Sequence, residues 1–307
     1  MSSKIQRSIL LSNILTKAMK ITEWFRHHTF NSYIKKDESP VTLVDFASQI
    51  YIISKLKEFF PDDSIIAEEK YSIVFDTDAE LLLKKCFQSL NVDINLDFKE
   101  IINYSGKPSE YIWTIDPIDG TLGYQEGLYY AIGIGYMKKG DLLFSAIGVP
   151  NYNELGNAIF IAEKENGAKA SYGDFPFRPI KVSVKDNLQE ARICISLHYN
   201  KPWVFDFVKK VGITKSIQID SMLKFCMIAD GSADLYIKPM TKQNSYSWDY
   251  LPGTLLVKEA GGKVTDFNNK EVIFDNEKCV ITSSGILTSN GYLHEKTLDI
   301  LQQISKS

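Results

Sequence analysis

The sequence is poor in the features that would class it at a glance. Its four cysteines, Cys86, Cys194, Cys226 and Cys279, are far apart and share no metal-ligand spacing. They read as buried thiols rather than disulfides, which fits a protein of the reducing cytoplasm. No run approaches the roughly 20 apolar residues that a membrane helix needs, so no membrane partner is expected. The opening stretch MSSKIQRSILLSN has scattered charge and no compact apolar core before a cleavage site, so no signal peptide is expected either. Neither sign of charge dominates. The net charge of −3 argues against nucleic acid as a partner, because phosphate-backbone binders present a basic face. A small anionic substrate needs only local positive charge. There is no internal repeat and no low-complexity tract.

What is present is the composition of a soluble globular protein, 44% apolar and 24% charged. Its 307 residues exceed what one compact core usually holds, so one large or two smaller domains are expected. Ile5, Ile9, Ile14, Met19 and Phe25 recur near helical spacing and predict a helix over 4–27. A second helix is predicted from Val44 to Phe60, with Thr42 placed to cap it in a T-x-x-D capping box. A short strand, Ser64 to Ala67, follows the turn at Pro61-Asp62-Asp63. Residues 71–110 are polar and weakly periodic, an insertion with one helix near 79–90. Strands are then expected up to Asp116, over 128–138 and over 141–149, the last two joined by a Lys139-Gly140 hairpin.

The second half changes rhythm. Apolar runs at 180–184, 191–196, 233–238 and 279–283 alternate with helical stretches at 202–211, 221–230, 250–260 and 291–303. That alternation predicts an α/β layer. The two prolines of FPFRP, residues 175–179, mark the boundary between the halves.

Chemistry concentrates in WTIDPIDGTLGY, residues 113–124. Asp116 and Asp119 lie at the end of an apolar strand, Pro117 stiffens the turn, and Gly120 permits a backbone conformation closed to other residues. Two carboxylates three apart across a turn can converge, and the Ile118 carbonyl can join them. All are hard oxygen ligands that suit Mg²⁺. A helix starting at Gly120-Thr121 would aim free N–H groups at the same place and favour a phosphate. A capped turn explains DPIDG equally well, because Asp, Pro and Gly are common turn residues. The spacing does exclude two other sites. An EF-hand needs ligands at alternate positions, and a D-x-D aspartyl-phosphate site needs a spacing of two.

Three further segments bear on this choice: Glu68-Glu69 after an apolar strand, Asp45 in SPVTLVDFASQ, and Asp249 in SWDYLPGTLLVKEAGG. Singly, they read as a solvated strand end, a helix cap and an N-cap. Together, and in this order, they resemble the lithium-sensitive, magnesium-dependent phosphatase superfamily that includes inositol monophosphatase. The resemblance spans roughly residues 1–300. Within that superfamily the chain is most similar to the 3′(2′),5′-bisphosphate nucleotidases, which remove the 3′-phosphate of 3′-phosphoadenosine 5′-phosphate. KKDESPVTLVDFASQ, the insertion between Glu69 and Trp113, and ITKSIQIDSMLKFC at 213–226 carry this subdivision.

The resemblance implies an α+β / α/β fold, the inositol-monophosphatase-like layered αβαβα sandwich with two subdomains. Residues 1–177 would form an N-terminal α+β metal-binding subdomain and 178–307 a C-terminal α/β substrate-binding one. By position, Glu68, Asp116, Asp119, Asp249 and the Ile118 carbonyl would bind two or three Mg²⁺ ions. Asp45 and Thr121 would position and activate a water that attacks the phosphate directly, with no covalent intermediate. Gly120, Thr121, His198, Ser221, Lys224, Lys238 and Asp249 would bind the substrate, a small phosphate monoester. Inhibition by lithium and a monomeric state are also implied. An inositol phosphatase is the alternative, as a sole or second activity, and a non-catalytic metal- or nucleotide-binding module is a third reading. The chain departs from the family at several positions. Lys238 stands where Arg is usual, which replaces a bidentate phosphate contact by a point charge. Ala67, Leu122 and Tyr250-Leu251-Pro252 replace a Gly, a Lys and a small-residue run, and His198 sits in SLHYN rather than H-S-S.

Overall fold

The computed structural model describes residues 3–30, 32–35, 40–70, 77–94, 97–198, 202–240, 245–274 and 285–304. The chain opens with helix α1 (Ser3–Phe25), an antiparallel pair β1 (Ser32–Ile34) and β2 (Pro40–Thr42), and helix α2 (Leu43–Phe59). Helix α2 starts where it does because Thr42 and Asp45 form a capping box: Val44 N–H donates to the Thr42 hydroxyl, and Thr42 N–H donates to the Asp45 carboxylate.

A seven-stranded sheet follows in sequence order: β3 (Ser64–Ala67), β4 (Tyr111–Asp119), β5 (Ala131–Lys138), β6 (Asp141–Asn153), β7 (Gly156–Glu163), β8 (Ala168–Tyr172) and β9 (Arg178–Pro179). Only the β3–β4 pair is parallel. That pair needs a crossover, and the insertion supplies it with α3 (Thr77–Ser89) and α4 (Phe98–Ile102). Helix α3 buries Ala79, Leu83, Cys86 and Phe87 against the first core. Between β4 and β5 lies the single turn of α5 (Thr121–Gln125).

The second sheet is mixed, in the order β11 (Lys215–Gln218), β10 (Arg192–Ile195), β12 (Leu235–Pro239), β14 (Gly285–Ser289), β13 (Lys263–Thr265). Strand β10 runs parallel to both neighbours and β14 antiparallel to both of its own. The helices of this half are α6 (Pro202–Val211), α7 (Leu223–Ala229), α8 (Ser247–Glu259) and α9 (His294–Ile304).

Three apolar cores stack between five layers. Leu11, Ile14 and Leu15 of α1 and Phe46, Ile50 and Ile53 of α2 cover one face of the first sheet. Helices α7 and α8 fill the space between the sheets, with Met222, Phe225, Leu251 and Leu255 facing Ala131, Ile147 and Phe160. Val204 and Phe207 of α6 and Leu298 and Leu301 of α9 cover the far side of the second sheet. The result is the layered αβαβα sandwich expected above.

Strand β4 is the keel of this arrangement. Its Trp113 is fully buried, stacks on Tyr136 with ring centroids 4.2 Å apart, and donates its indole N–H to Asp63 at 2.9 Å. Truncating such a residue to alanine costs roughly 3–5 kcal/mol.

The structure corrects three sequence expectations. The insertion 71–110 carries two helices, α3 and α4, where one was expected. The run 180–184 forms no regular element, because its backbone is divided between two partners: Ile180 N–H donates to the Ala168 carbonyl and Val182 N–H to that of Ala260. Strand β4 does not end at Asp116 but continues to Asp119. The run 279–283 and Cys279 lie outside the described residues, while Cys86, Cys194 and Cys226 are buried free thiols. No helix among the described residues is long and apolar enough to cross a membrane.

Candidate active site

In a regular strand, residues three apart face opposite sides. Asp116 and Asp119 escape that rule through a bulge. Asp116 lies opposite Gly133 and Asp119 opposite Ala131, so β4 has one residue more than β5 across this interval. Pro117, which has no N–H for the ladder, sits inside the bulge, and its carbonyl accepts the buried Ser48 hydroxyl at 3.0 Å. Both carboxylates therefore line the same cleft, about 680 Å³ in volume. Gly120 then turns the chain with φ of 98°, and α5 begins at Thr121.

Asp249 reaches the same cleft from the first turn of α8. Tyr246 occupies the cap position of that helix, so Asp249 is not an N-cap. Carboxylate oxygens of Asp116, Asp119 and Asp249 all lie within 4.8 Å of one another. Burial holds Asp116 and Asp249 well above the usual carboxylate range, and the neighbouring acids Glu68 and Asp119 raise both further. Burial lifts Asp119 to about 7, against the opposing pull of Lys224 and the Met222 N–H. Asp116 Oδ1 is buried with no hydrogen-bond partner. An orphaned carboxylate oxygen facing two more carboxylates fits a hard divalent cation such as Mg²⁺.

Glu68 and Ile118, the other expected ligands, line the same cleft, and Glu68 lies close enough to Asp116 to raise its carboxyl. Glu68 is paired with Lys35, whose ammonium also meets Glu69, at 2.7 and 2.6 Å. Burial alone would lower the Lys35 pKa, but Glu68 and then Glu69 outweigh it and hold it above its ordinary value. Glu69 is itself fixed by Gln49, which accepts from the Glu69 N–H at 2.9 Å and donates to its carbonyl at 2.8 Å. The Ile118 carbonyl accepts the Thr121 hydroxyl at 3.3 Å.

Asp45 lies beneath the cleft wall, with no exposure. One of its oxygens accepts the Thr42 N–H and hydroxyl at 2.8 and 2.6 Å. The other accepts the Thr121 hydroxyl at 3.1 Å. Burial raises Asp45 to about 6, opposed by the Thr42 hydroxyl.

The same cleft holds the remaining expected substrate residues. Ser221, Lys224, Lys238 and His198 all line the cleft. Lys224 is almost wholly buried, donates to the Ile219 carbonyl at 3.3 Å and lies 5.2 Å from the Tyr236 ring centroid. Burial lowers its pKa to about 8, against the attraction of Asp119 and Asp220. Ser221 takes a left-handed conformation with φ of 69°, which turns the next amide back so that Met222 N–H donates to Asp119. The Met222 side chain lies over Gly133, where a Cβ would come within 2.3 Å of its methyl carbon.

Several residues of this site were not among the expected site residues, although Lys35 and Asp220 fall in the segments that carry the resemblance. Lys35 falls in the KKDESP segment, yet its role depends on two glutamates 33 and 34 positions away. Asp220, buried, accepts His198 Nδ1 and the Leu197 and His198 N–H groups. Glu126, at the end of α5, meets His198 Nε2 at 3.0 Å.

Residues 8–306 match the inositol monophosphatase family. Among curated proteins, the chain is 28% identical to a 3′(2′),5′-bisphosphate nucleotidase of Schizosaccharomyces pombe, covering 92% of each. It is 29% identical to one from Oryza sativa, over 89% of this chain and 86% of that one. Among solved structures, an inositol monophosphatase of Thermotoga maritima shares 22% identity and 99% coverage of both chains, with a TM-score of 0.72. With sandwich and acidic cleft in place, and a match over almost its whole length, the chain belongs to the inositol monophosphatase family.

Proposed function

We propose that this protein is a magnesium-dependent phosphatase that removes the 3′-phosphate of 3′-phosphoadenosine 5′-phosphate. The observation that carries this reading is the meeting of the Asp116–Asp119–Asp249 trio and the Asp45–Thr121 pair at one cleft, in a chain whose curated relatives are named bisphosphate nucleotidases. Asp116, Asp119, Asp249, Glu68 and the Ile118 carbonyl would hold magnesium. When bound, the cation supplies Lewis-acid charge to the phosphate and acidifies a water.

The remaining steps belong to the chain's own groups. The Thr121 hydroxyl spends its proton on Asp45, which leaves its lone pairs to accept a hydrogen bond from water. Asp45 Oδ1 is then the terminus toward which that water's proton moves. Phosphoryl transfer asks for charge placement more than covalent chemistry, so no protein nucleophile is needed. Lys224, Lys238 and His198 offset the charge of the phosphate that is not hydrolysed. Inhibition by lithium and a monomeric state belong to the same reading.

A second reading, an inositol phosphatase, is favoured by Lys238, a point charge where a bidentate group would grip a second phosphate better. A comparison of kcat/KM for 3′-phosphoadenosine 5′-phosphate and inositol 1,4-bisphosphate separates them. The nucleotide should lead, and Lys224→Ala should damage its turnover far more than that of the inositol phosphate. A preference for inositol 1,4-bisphosphate, insensitive to Lys224→Ala, assigns the second reading. No phosphate release from either substrate removes both.

A further inference from the structure

His198 lines the same cleft as the acidic trio, and in the bisphosphate reading it meets the part of a substrate that is not being hydrolysed. Its ring is fully engaged. Asp220, buried and anchored by the Leu197 and His198 N–H groups, accepts Nδ1 and thereby fixes which edge points outward. The outward edge is Nε2, and it is taken by Glu126 Oε2 at 3.0 Å. Glu126 comes from a different layer: it caps the C-terminal end of α5, just past the segment that bears Thr121. Its side chain is half exposed. With Asp220 accepting at one nitrogen and Glu126 at the other, the imidazole is held above its ordinary pKa, although burial opposes it.

We propose that Glu126 is an internal competitor for the His198 imidazole, displaced by the bound substrate, and that it sets how strongly the cleft favours a second phosphate. The proposal rests on the reading of the cleft as a bisphosphate site. A carboxylate on Nε2 mimics the anion that this edge would bind, so a second phosphate gains only the difference between itself and Glu126. Glu126 therefore tempers the advantage of a bisphosphate over a monophosphate. A half-exposed ion pair is a small lever, and the expected effect is roughly two- to fivefold.

The test compares 3′-phosphoadenosine 5′-phosphate with adenosine 3′-phosphate, which presents the same ester without the second phosphate. Glu126→Gln should raise the ratio of their kcat/KM values roughly two- to fivefold, through KM rather than kcat. The same substitution in a His198→Gln background should not move the ratio. An unmoved ratio in the natural background, or an equal rise in both, overturns the proposal. If wild type cleaves neither nucleotide, the nucleotide reading has failed, and nuclear magnetic resonance of the His198 ring decides the pairing itself. Glu126→Gln should lower the midpoint of the ring's titration, and an unmoved midpoint overturns the competitor whatever the substrate.

Discussion

Thr121 and Asp45, 76 residues apart, are joined by a hydrogen bond of 3.1 Å from the threonine hydroxyl to one oxygen of a carboxylate whose other oxygen caps helix α2. One side chain thus serves the fold and the site at once, and the two services can be separated. Thr121→Ala should lower kcat by roughly 10²–10³-fold while leaving thermal stability nearly unchanged. Asp45→Asn should lower kcat to a similar degree and also cost about 1 kcal/mol through the weakened cap. The double variant should be little worse than either single one, because the two groups act as a unit. Additive losses in kcat would show that they act independently.

Asp116, Asp119 and Asp249 repel one another when no cation is present. Magnesium should therefore stabilise the protein, by roughly 3 kcal/mol at a hundredfold excess over Kd. Asp116→Asn should unfold at a higher temperature than wild type in chelator, yet lose most of the gain from added magnesium. Asp119→Asn should lose turnover even at high magnesium. A calorimetric scan with and without chelator, beside a phosphate-release assay, reads all three, and an active Asp119→Asn enzyme would sink the assignment of this ligand.

Gly120 has a φ of 98°, and a Cβ there would lie 3.3 Å from the Ser221 Cβ. Gly120→Ala should cost roughly 1–2 kcal/mol from the left-handed backbone alone. The added methyl also presses on the segment that holds Met222 against Asp119, so kcat/KM should fall more than stability predicts. Full activity in the variant would mean that the neighbouring backbone gives way without consequence.

His294 is fully buried between two hydroxyl groups, Thr265 Oγ1 at Nε2 and Ser289 Oγ at Nδ1, both at 2.8 Å. Burial lowers its pKa from 6.5 to about 4, helped by Lys263. The folded protein binds this proton more weakly than the unfolded chain. Its stabilising contribution is thus whole above pH 6.5 and is lost as pH falls toward 4. Denaturant titrations should show a loss of roughly 2 kcal/mol between about pH 7 and pH 5 from this group. His294→Gln should flatten that slope, and an unchanged slope would place the acid sensitivity elsewhere.

The sequence made the acidic residues visible because their spacing is local and their chemistry distinctive. It also suggested the capping box, since Thr42 and Asp45 are three apart. The bulge was hidden: nothing in DPIDG separates a strand that ends at Asp116 from one that bends and continues to Asp119. Asp45 is a different case: a helix cap and an active-site contact read from sequence as rivals, yet Thr42 and the Thr121 hydroxyl each take their own oxygen of the carboxylate. Long-range pairings left no trace at all. Glu126 and His198 are 72 residues apart on different layers, and neither has a periodic neighbour that would announce the other.

The amide of Met222 donates to Asp119, so the substrate-side segment is tied to the acidic trio through the main chain. At residue 222 only proline removes the donor, while the acceptor is the Asp119 carboxylate itself. The side chain at 222 is buried tightly over Gly133, so a replacement must fit that space while its N–H keeps the carboxylate anchored. An anchor of this kind is written into the peptide bond rather than into a side chain, so it survives most changes at the residue that supplies it.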